Sequence, residues 1–235
     1  MDASGGSAML ADARMFVSSL EARNSDGDWI PVSLTQESIW QHESVALLDF
    51  EDGTGSCSTS GTTETNSEVV GTLPDEEFDT LRFAVGLPFE LNHLDDATAP
   101  APLNSPGMFW AWQDGYKFLR VDWMPTGANR WNVHLGSRAC DNGGAPNTAP
   151  PTSCDRPNRP EILIEGWSIG ESVTIDLGQL VADSNLSANL ENSPPGCMSA
   201  PAETADCDPV FSSLGLDFAS GGCESGCDGQ SVFSR

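Results

Sequence analysis

Short strand-like segments separated by turns constrain the fold of this chain more than any other feature of its sequence. Apolar side chains often recur at every second position, as in Leu81, Phe83, Val85 and Leu87, and this alternation places them on one face of an extended strand. Turn-forming runs of Asn, Asp, Gly and Pro stand between the segments. The segments predicted as strands are 14–22, 29–34, 45–50, 68–71, 80–87, 108–112, 117–123, 130–135, 161–167 and 172–175.

These segments predict an all-β protein with a single domain over residues 1–235. A chain of 235 residues is long enough for one sizeable core, and an all-β domain of that length need not divide. We predict one antiparallel β-sandwich or flattened barrel, with the long loops 141–158 and 192–208 pinned by disulfides. Residues 219–235 form a tail rich in Cys and Gly.

Two short helices are predicted within this β framework. Asp176 is placed to cap a helix over 177–182, because a carboxylate accepts the free N–H groups of a first turn. Asp208-Pro209 is placed to open a second helix, which would end at Gly215.

The charge of the chain excludes some classes of partner. Asp and Glu number 35 against 10 Lys and Arg, which gives a formal net charge of −25. Nucleic-acid binding needs a basic footprint, so it is excluded, and anionic membrane surfaces are disfavoured. No apolar run approaches the roughly 20 residues of a membrane-spanning helix. The acidic surface fits high salt, solubility or the recruitment of metal cations, and the charge alone does not choose among these.

Seven cysteines indicate disulfides and therefore an oxidising compartment. No Cys-x-x-Cys pair occurs and no His lies near a cysteine, so a zinc site is the weaker alternative. The two long loops suggest the local pairs Cys140–Cys154 and Cys197–Cys207. Cys223 and Cys227 would pair with each other or with Cys57, which is the expected unpaired thiol. Disulfides indicate an exported protein. No export signal is visible, so we expect that the signal is removed or that the start is truncated.

Residues 107–122 are the candidate functional segment. They contain Trp110 and Trp112, together with the only tyrosine and the only lysine of the chain. Met108, Trp110 and Trp112 would share one face of a strand, and Gln113-Asp-Gly115 predicts a tight type I′ hairpin after it. His93, expected at the end of a strand, and His134, on a strand face with Arg130 and Asn132, flank this segment. Imidazoles beside such a face would suit Cu(I), which prefers soft and borderline donors.

Other interpretations of these residues stay open from spacing alone. A Trp-x-Trp strand commonly belongs to a core, and single histidines in β-proteins are commonly hydrogen-bonded structural residues. His42, near Trp40, is a third candidate ligand, and the flanking Gln and Glu residues predict that it lies on an exposed edge. The acidic pairs Glu51-Asp52 and Asp95-Asp96 lack the spacing of a calcium loop. Hydrolytic and phosphate-binding motifs are missing, so an enzyme is not expected.

Five segments in a fixed order resemble the MbnP-like family, also described as metallo-mystery-pair four-cysteine-motif proteins. The resemblance covers about 11–218. The segments are Val45-Ala-Leu-Leu-Asp-Phe-Glu-Asp-Gly-Thr-Gly-Ser-Cys57, Gly86-Leu-Pro-Phe-Glu-Leu-Asn-His93, Met108-Phe-Trp-Ala-Trp-Gln-Asp-Gly-Tyr-Lys-Phe-Leu-Arg120, His134-Leu-Gly-Ser137 with Cys140, and Pro194-Pro-Gly-Cys-Met-Ser199 with Cys207.

This resemblance implies a periplasmic or secreted copper-binding protein that serves copper acquisition, storage or handling and is not an enzyme. The implied partner is an MbnH-type di-haem enzyme, related to cytochrome c peroxidases, which oxidises a tryptophan of its partner to kynurenine. Indole nitrogen has no usable lone pair, whereas the amine of kynurenine can ligate a metal. The implied ligands of copper, as Cu(I), are His93, His134 and a kynurenine at Trp112 or Trp110. Trp131 and Trp40 are secondary candidates for the modified position.

The resemblance also assigns the four family cysteines to Cys140, Cys154, Cys197 and Cys207. The family usually opens with a further strand and a cysteine before the segment that matches 11–22, and their lack supports the expected truncation. The alternative function is a metal-free extracellular module. It would bind sugar or peptide on a Trp platform or would serve as a structural surface domain. The platform residues would be Trp29, Trp110, Trp112 and Trp123.

Overall fold

The structure is a computed structural model. It describes residues 7–36, 38–59, 61–105, 107–111, 113–126, 130–144 and 148–235. Three α-helices are present in these ranges: α1 (Phe89–Asn92), α2 (Leu177–Leu180) and α3 (Thr204–Ser213). The strands are β1 (Ala8–Asn24), β2 (Trp29–Pro31), β3 (Ser33–Leu34), β4 (Gln41–His42), β5 (Val45–Asp49), β6 (Gly71–Thr72), β7 (Phe78–Val85), β8 (Phe109–Ala111), β9 (Gly115–Tyr116), β10 (Leu119–Pro125), β11 (Trp131–Leu135), β12 (Glu161–Glu165), β13 (Thr174–Ile175), β14 (Gly196–Cys197) and β15 (Phe233–Ser234).

The long strand β1 organises the main sheet, whose order is β12-β7-β1-β10-β11-β14. The first half of β1 pairs with β10, and its later part pairs with β5, β7 and β2. The pairing with β7 shifts register between Ser18 and Glu21, where Ser19 has a φ of 54°. Such a bulge bends a strand and increases its twist, so one strand can serve both halves of the sheet.

The predicted fold class is confirmed. The described residues form mostly strands with a few short helices, and the sheets do not close into a barrel. All pairings of the main sheet are antiparallel except the one between β11 and β14, which is parallel. The longest helix in the described ranges, α3, has ten residues, and none there is long and apolar enough to span a bilayer.

Apolar side chains fill the space on both sides of β1. Met15 and Val17 belong to a large core, whereas Phe16, which points to the opposite face, belongs to a smaller one. The large core includes Trp131 and the buried side of α3, and the smaller core includes Tyr116 of β9. Burial on both faces is the packing expected of a sandwich.

All the proposed cysteine pairs form. Cys140 is bonded to Cys154, Cys197 to Cys207, and Cys223 to Cys227. Of the alternatives for the last pair, the structure therefore has the local one, and Cys57 is a buried free thiol. Its Sγ donates to the carbonyl of Ala11.

The helices differ from their predictions at their boundaries. Asp176 caps α2 as predicted, because its Oδ1 accepts from the N–H groups of Gly178 and Gln179 at 2.9 and 3.0 Å. The predicted start of α3 at Asp208 was wrong, since the helix begins at Thr204 and contains Pro209. The disulfide at Cys207 and the burial of the apolar face of α3 stabilise the helix. This stabilisation outweighs the hydrogen bond that Pro209 cannot donate. The tail packs as well: β15 pairs with β13, and Phe233 enters the large core.

Candidate metal centre

His93 follows a short helix and not a strand, so its predicted setting was wrong. Strand β7 ends at Val85, and Gly86 then has a φ of +122°. Pro88 is the N-cap of α1, which runs from Phe89 to Asn92 and places His93 at its C-cap. Proline cannot donate to a strand ladder but fits the start of a helix, and this explains the change at Pro88.

His93 is buried beside a disulfide and the candidate hairpin. Its Nε2 lies 3.7 Å from Sγ of Cys154 and 3.2 Å from Nδ2 of Asn92. Oδ1 of Asn92 accepts from the backbone N–H of Tyr116 at 3.0 Å. The same asparagine therefore contacts both His93 and the second strand of the hairpin, and this fixes His93 beside that strand.

The hairpin forms as predicted, but its turn is longer than the type I′ turn. Strands β8 and β9 pair Phe109 with Tyr116 and Ala111 with Gly115, and the register shifts between Phe109 and Ala111. Gly115 supplies a φ of +74° at the end of the turn. Trp112 lies outside the described residues, so a shared face of Met108, Trp110 and Trp112 stays a prediction.

Trp110 is held between cations and the end of β11. The guanidinium of Arg138 lies 4.1 Å from the centroid of its ring, and Nζ of Lys117 lies 5.8 Å away. Gly136 approaches the ring so closely that a Cβ there would overlap Trp110. The centroid of the His134 ring lies 6.4 Å from that of Trp110. The structure thus brings together two of the predicted site residues.

His134 is buried in β11 and neutral. Its Nε2 lies 2.7 Å from Oδ1 of Asp122. Burial lowers the pKa of His134 below its ordinary value, although the hydrogen bond and charge of Asp122 act to raise it. Burial also acts to raise the pKa of Asp122, but hydrogen bonds from His134 and Arg120 outweigh it and hold this pKa below the usual range of a carboxyl. A neutral imidazole beside an ionised carboxylate results.

Four buried charged residues extend from His134 along the same sheet face. Arg120 lies opposite His134, Asp12 opposite Asp122, and Arg14 opposite Arg120 in the strand register. The guanidinium of Arg120 contacts both Asp122, at 2.8 Å, and Asp12, at 3.1 Å. Arg14 donates to both oxygens of Asp12, at 3.0 and 2.7 Å. We call Asp12, Arg14, Arg120 and Asp122 the ion cluster.

Sequence reasoning missed the ion cluster, although a signal was present. Its members stand at every second position in two strands, 12 and 14 in β1 and 120 and 122 in β10. Charged residues at one face of otherwise apolar strands indicate either a solvated face or a buried network. Only the pairing of the strands, which brings opposite charges together, decides between these two.

The secondary candidates lie elsewhere. Trp131 is fully buried in the large core, and alternation along β11 puts it on the face opposite to His134. Trp40 packs against the smaller core. His42 is partly exposed in β4, with Nε2 3.7 Å from the carboxylate of Glu43.

The proposed Trp platform does not form one surface. Trp29 pairs with Arg23 near the end of β1, whereas Trp123 pairs with Leu10 near its start. Trp29 is also covered by the guanidinium of Arg82, 4.2 Å from its ring. Indoles at opposite ends of a long strand cannot stack against the same short ligand.

Two groups of potential metal ligands occur among the described residues. They are His93 with Cys140 and Cys154, and Glu203 with Cys197 and Cys207. Both include a disulfide, and a disulfide lacks the thiolate that binds metal. An imidazole, by contrast, keeps a lone pair for a metal ion, and His134 lies buried beside Trp110.

Two comparisons with known proteins found similar proteins. The family model described as MbnP matches residues 3–199. A solved structure, MbnP from Methylosinus trichosporium, is 28% identical, with a TM-score of 0.83, and the match covers 100% of this chain and 89% of that chain. A comparison with curated proteins gives no match. These similarities suggest a metal-related role. The chain belongs to the MbnP family.

Proposed function

We propose that this member of the MbnP family binds copper, as Cu(I), between His93, His134 and a kynurenine made from Trp110 or Trp112. The observation that carries the proposal is the contact between a buried neutral imidazole and a tryptophan, with ring centroids of His134 and Trp110 6.4 Å apart. Membership of the MbnP family also supports the proposal, because the matched range 3–199 contains His93, the hairpin and His134.

The donor chemistry requires the tryptophan to be changed. An intact indole donates through Nε1–H and offers no lone pair, so it cannot ligate a metal. Opening of the five-membered ring leaves an aromatic amine, which is a borderline donor like imidazole. Two imidazoles and one amine form a low-coordinate set that favours Cu(I) over harder cations.

The modification balances as an oxidation followed by a hydrolysis. Cleavage of the indole C2–C3 bond adds two oxygen atoms, which come from two waters as four electrons and four protons leave. Hydrolysis of the resulting N-formyl group then consumes one water and releases formate. An MbnH-type di-haem enzyme is the proposed catalyst, and two molecules of a peroxide would take up the four electrons and four protons and leave as water. The net mass change of the peptide equals two oxygens gained less one carbon monoxide lost.

The role of this chain is to bind copper and not to catalyse a reaction. His93 and His134 bind, Arg138 and Lys117 hold the Trp110 ring, and the disulfide at Cys154 supports His93. We infer export to the periplasm or the exterior, because three disulfides persist in oxidising compartments. Copper acquisition or handling is the function that these ligands and the inferred export support.

Mass spectrometry tests the modification. Cleavage after Arg82 and Lys117 yields the peptide 83–117, which contains Trp110 and Trp112 and no other tryptophan. Protein produced with its di-haem partner and copper should carry the stated mass gain in this peptide, and fragmentation would locate it. The Trp110→Phe and Trp112→Phe variants identify the position, since only one of them should abolish the gain. An unmodified peptide under these conditions would refute the proposal.

A copper titration tests the ligands. The chain has three histidines, and His42 provides a matched control outside the proposed site. His93→Ala and His134→Ala should each lower Cu(I) affinity strongly, whereas His42→Ala should bind like the wild type. Circular dichroism checks that each variant folds. Unchanged affinity in both site variants, or loss of binding in His42→Ala alone, would contradict the assignment.

A further inference from the structure

Asp122 lies between an arginine and the proposed ligand His134, and each of its oxygens has a separate partner. Oδ2 accepts from Nε and Nη2 of Arg120 at 3.1 and 2.8 Å. Oδ1 faces Nε2 of His134 at 2.7 Å. An ionised carboxylate accepts hydrogen bonds and has no proton to give, so the proton of the last contact belongs to Nε2 of His134.

An imidazole that binds a metal is neutral, so it carries one N–H, and its second nitrogen holds the free lone pair. We infer that Asp122 is a positioning residue that holds His134 as the Nε2–H tautomer and so makes Nδ1 the atom that binds copper. This inference rests on the proposed function, because it names the donor atom of the same site. A carboxylate that orients a metal-binding histidine through its other nitrogen is a common means of tuning affinity.

The ion cluster prevents Asp122 from turning away. Arg120 is shared between Asp122 and Asp12, and Asp12 is held at both oxygens by the fully buried Arg14. Rotation of Asp122 would remove one of the two carboxylates that pair with the buried Arg120, which is costly. The alternating charges therefore fix the carboxylate opposite His134.

The same cluster reaches the start of the candidate hairpin. Nη1 of Arg120 donates to the carbonyl of Gly107 at 3.3 Å, and Nζ of Lys117 donates to that carbonyl at 2.5 Å. Lys117 also lies over the Trp110 ring. Asp122 thus shares its arginine with the backbone that leads into Trp110, so His134 and the hairpin are oriented by one set of contacts.

His93 provides an internal comparison. Oδ1 of Asn92 accepts from the N–H of Tyr116, so its Nδ2 group is the one that faces His93. An amide N–H donates to an unprotonated nitrogen, which puts the proton of His93 on Nδ1. In one spectrum of the metal-free protein, we therefore expect the two histidines in opposite tautomers.

The experiment reads the tautomer directly. Long-range ¹H–¹⁵N correlation spectra of the full chain, labelled in histidine and free of metal, distinguish protonated from unprotonated ring nitrogens. We expect His134 protonated at Nε2 in the wild type. In Asp122→Asn, which is the same size but can donate as well as accept, His134 should lose this single preference. Asp79→Asn removes an exposed carboxylate that pairs with Arg23 and should leave His134 unchanged.

Copper binding completes the test on protein matured with its di-haem partner. Asp122→Asn should weaken Cu(I) binding about 10- to 100-fold, with Asp79→Asn at the wild-type affinity. On addition of Cu(I), the ¹⁵N chemical shift of Nδ1 of His134 should change. A proton on Nδ1 in the metal-free wild type, or a copper-induced shift at Nε2, would overturn the inference. A wild type that binds no Cu(I) would instead refute the proposed function, and the metal-free spectrum would still decide whether Asp122 sets the tautomer.

Discussion

At the scale of single residues, Gly136 shows how the site depends on a missing side chain. It follows His134 by two positions and lies against the Trp110 ring, and a Cβ there would also come within 2.6 Å of the Tyr116 carbonyl oxygen. Its φ is not in the left-handed region, so the requirement is one of space. Glycine here lets two backbones and an indole approach closely.

We expect Gly136→Ala to displace Trp110 from the end of β11. The added methyl group overlaps the ring, so the free energy of unfolding should fall by about 1–3 kcal/mol, as in other overpacked sites. Urea unfolding measures this loss, and a copper titration should show weaker binding. Gly222→Ala is the control, since its nearest neighbour, Oγ of Ser220, lies 3.6 Å away in ordinary contact. Equal stability of the two variants would contradict the expected overlap.

At the scale of elements, two disulfides stabilise different parts of the molecule. Cys140–Cys154 closes a loop beside the ring of His93, whereas Cys197–Cys207 joins β14 to α3 at the large core. Their loops span 14 and 10 residues. Because the loops are of similar length, the two bonds should restrict the unfolded chain to a similar degree.

Replacing either pair by serine should therefore lower the free energy of unfolding by a similar amount, roughly 2–4 kcal/mol. Only the Cys140→Ser/Cys154→Ser protein should also lose Cu(I) affinity, since only that bond touches His93. Thermal unfolding and copper titrations of both double variants give the comparison. If copper affinity falls equally in both double variants, the loss of affinity does not come from the contact between Cys154 and His93.

The elements also show what the sequence can and cannot predict. Strands with clear alternation, such as 80–87, were predicted close to their bounds, because one buried face imposes the period. The pairs Cys140–Cys154 and Cys197–Cys207 were predicted correctly, because each pair stands at the two ends of one long loop. The start of α3 and the helix before His93 were missed, because burial and a disulfide outweighed Pro209 in one case and Pro88 ended a strand early in the other. Among site residues, Trp110 and His134 follow from the hairpin and strand patterns, whereas Asp122 acquires its role only through strand register.

At the scale of the whole molecule, the excess of acidic residues lies outside the buried ion cluster. The ion cluster has two acids and two arginines, so it adds nothing to the net charge of −25. The excess of 35 acidic over 10 basic residues must then act mainly at the surface. Repulsion among these exposed carboxylates disfavours the compact state and is screened by salt, whereas buried pairs are screened much less.

We therefore expect the melting temperature at neutral pH to rise as sodium chloride increases from about 0.01 M to 0.15 M, over which the Debye length falls from roughly 30 to 8 Å. Differential scanning calorimetry at several salt concentrations measures the rise. Sucrose at matched osmolality serves as a control for effects that do not depend on charge. A melting temperature that stays constant or falls with salt would show that surface repulsion does not limit stability.

The position of His93 beside a disulfide has a practical consequence for any study of metal stoichiometry. Its ring nitrogen and the sulfurs of Cys140 and Cys154 lie within 4.8 Å of one another. A dithiol such as dithiothreitol, carried over from purification, would convert that bond to two thiols next to an imidazole. The reduced protein would then have an additional thiol-rich site for soft metal ions. Its measured copper stoichiometry would exceed that of the oxidised protein.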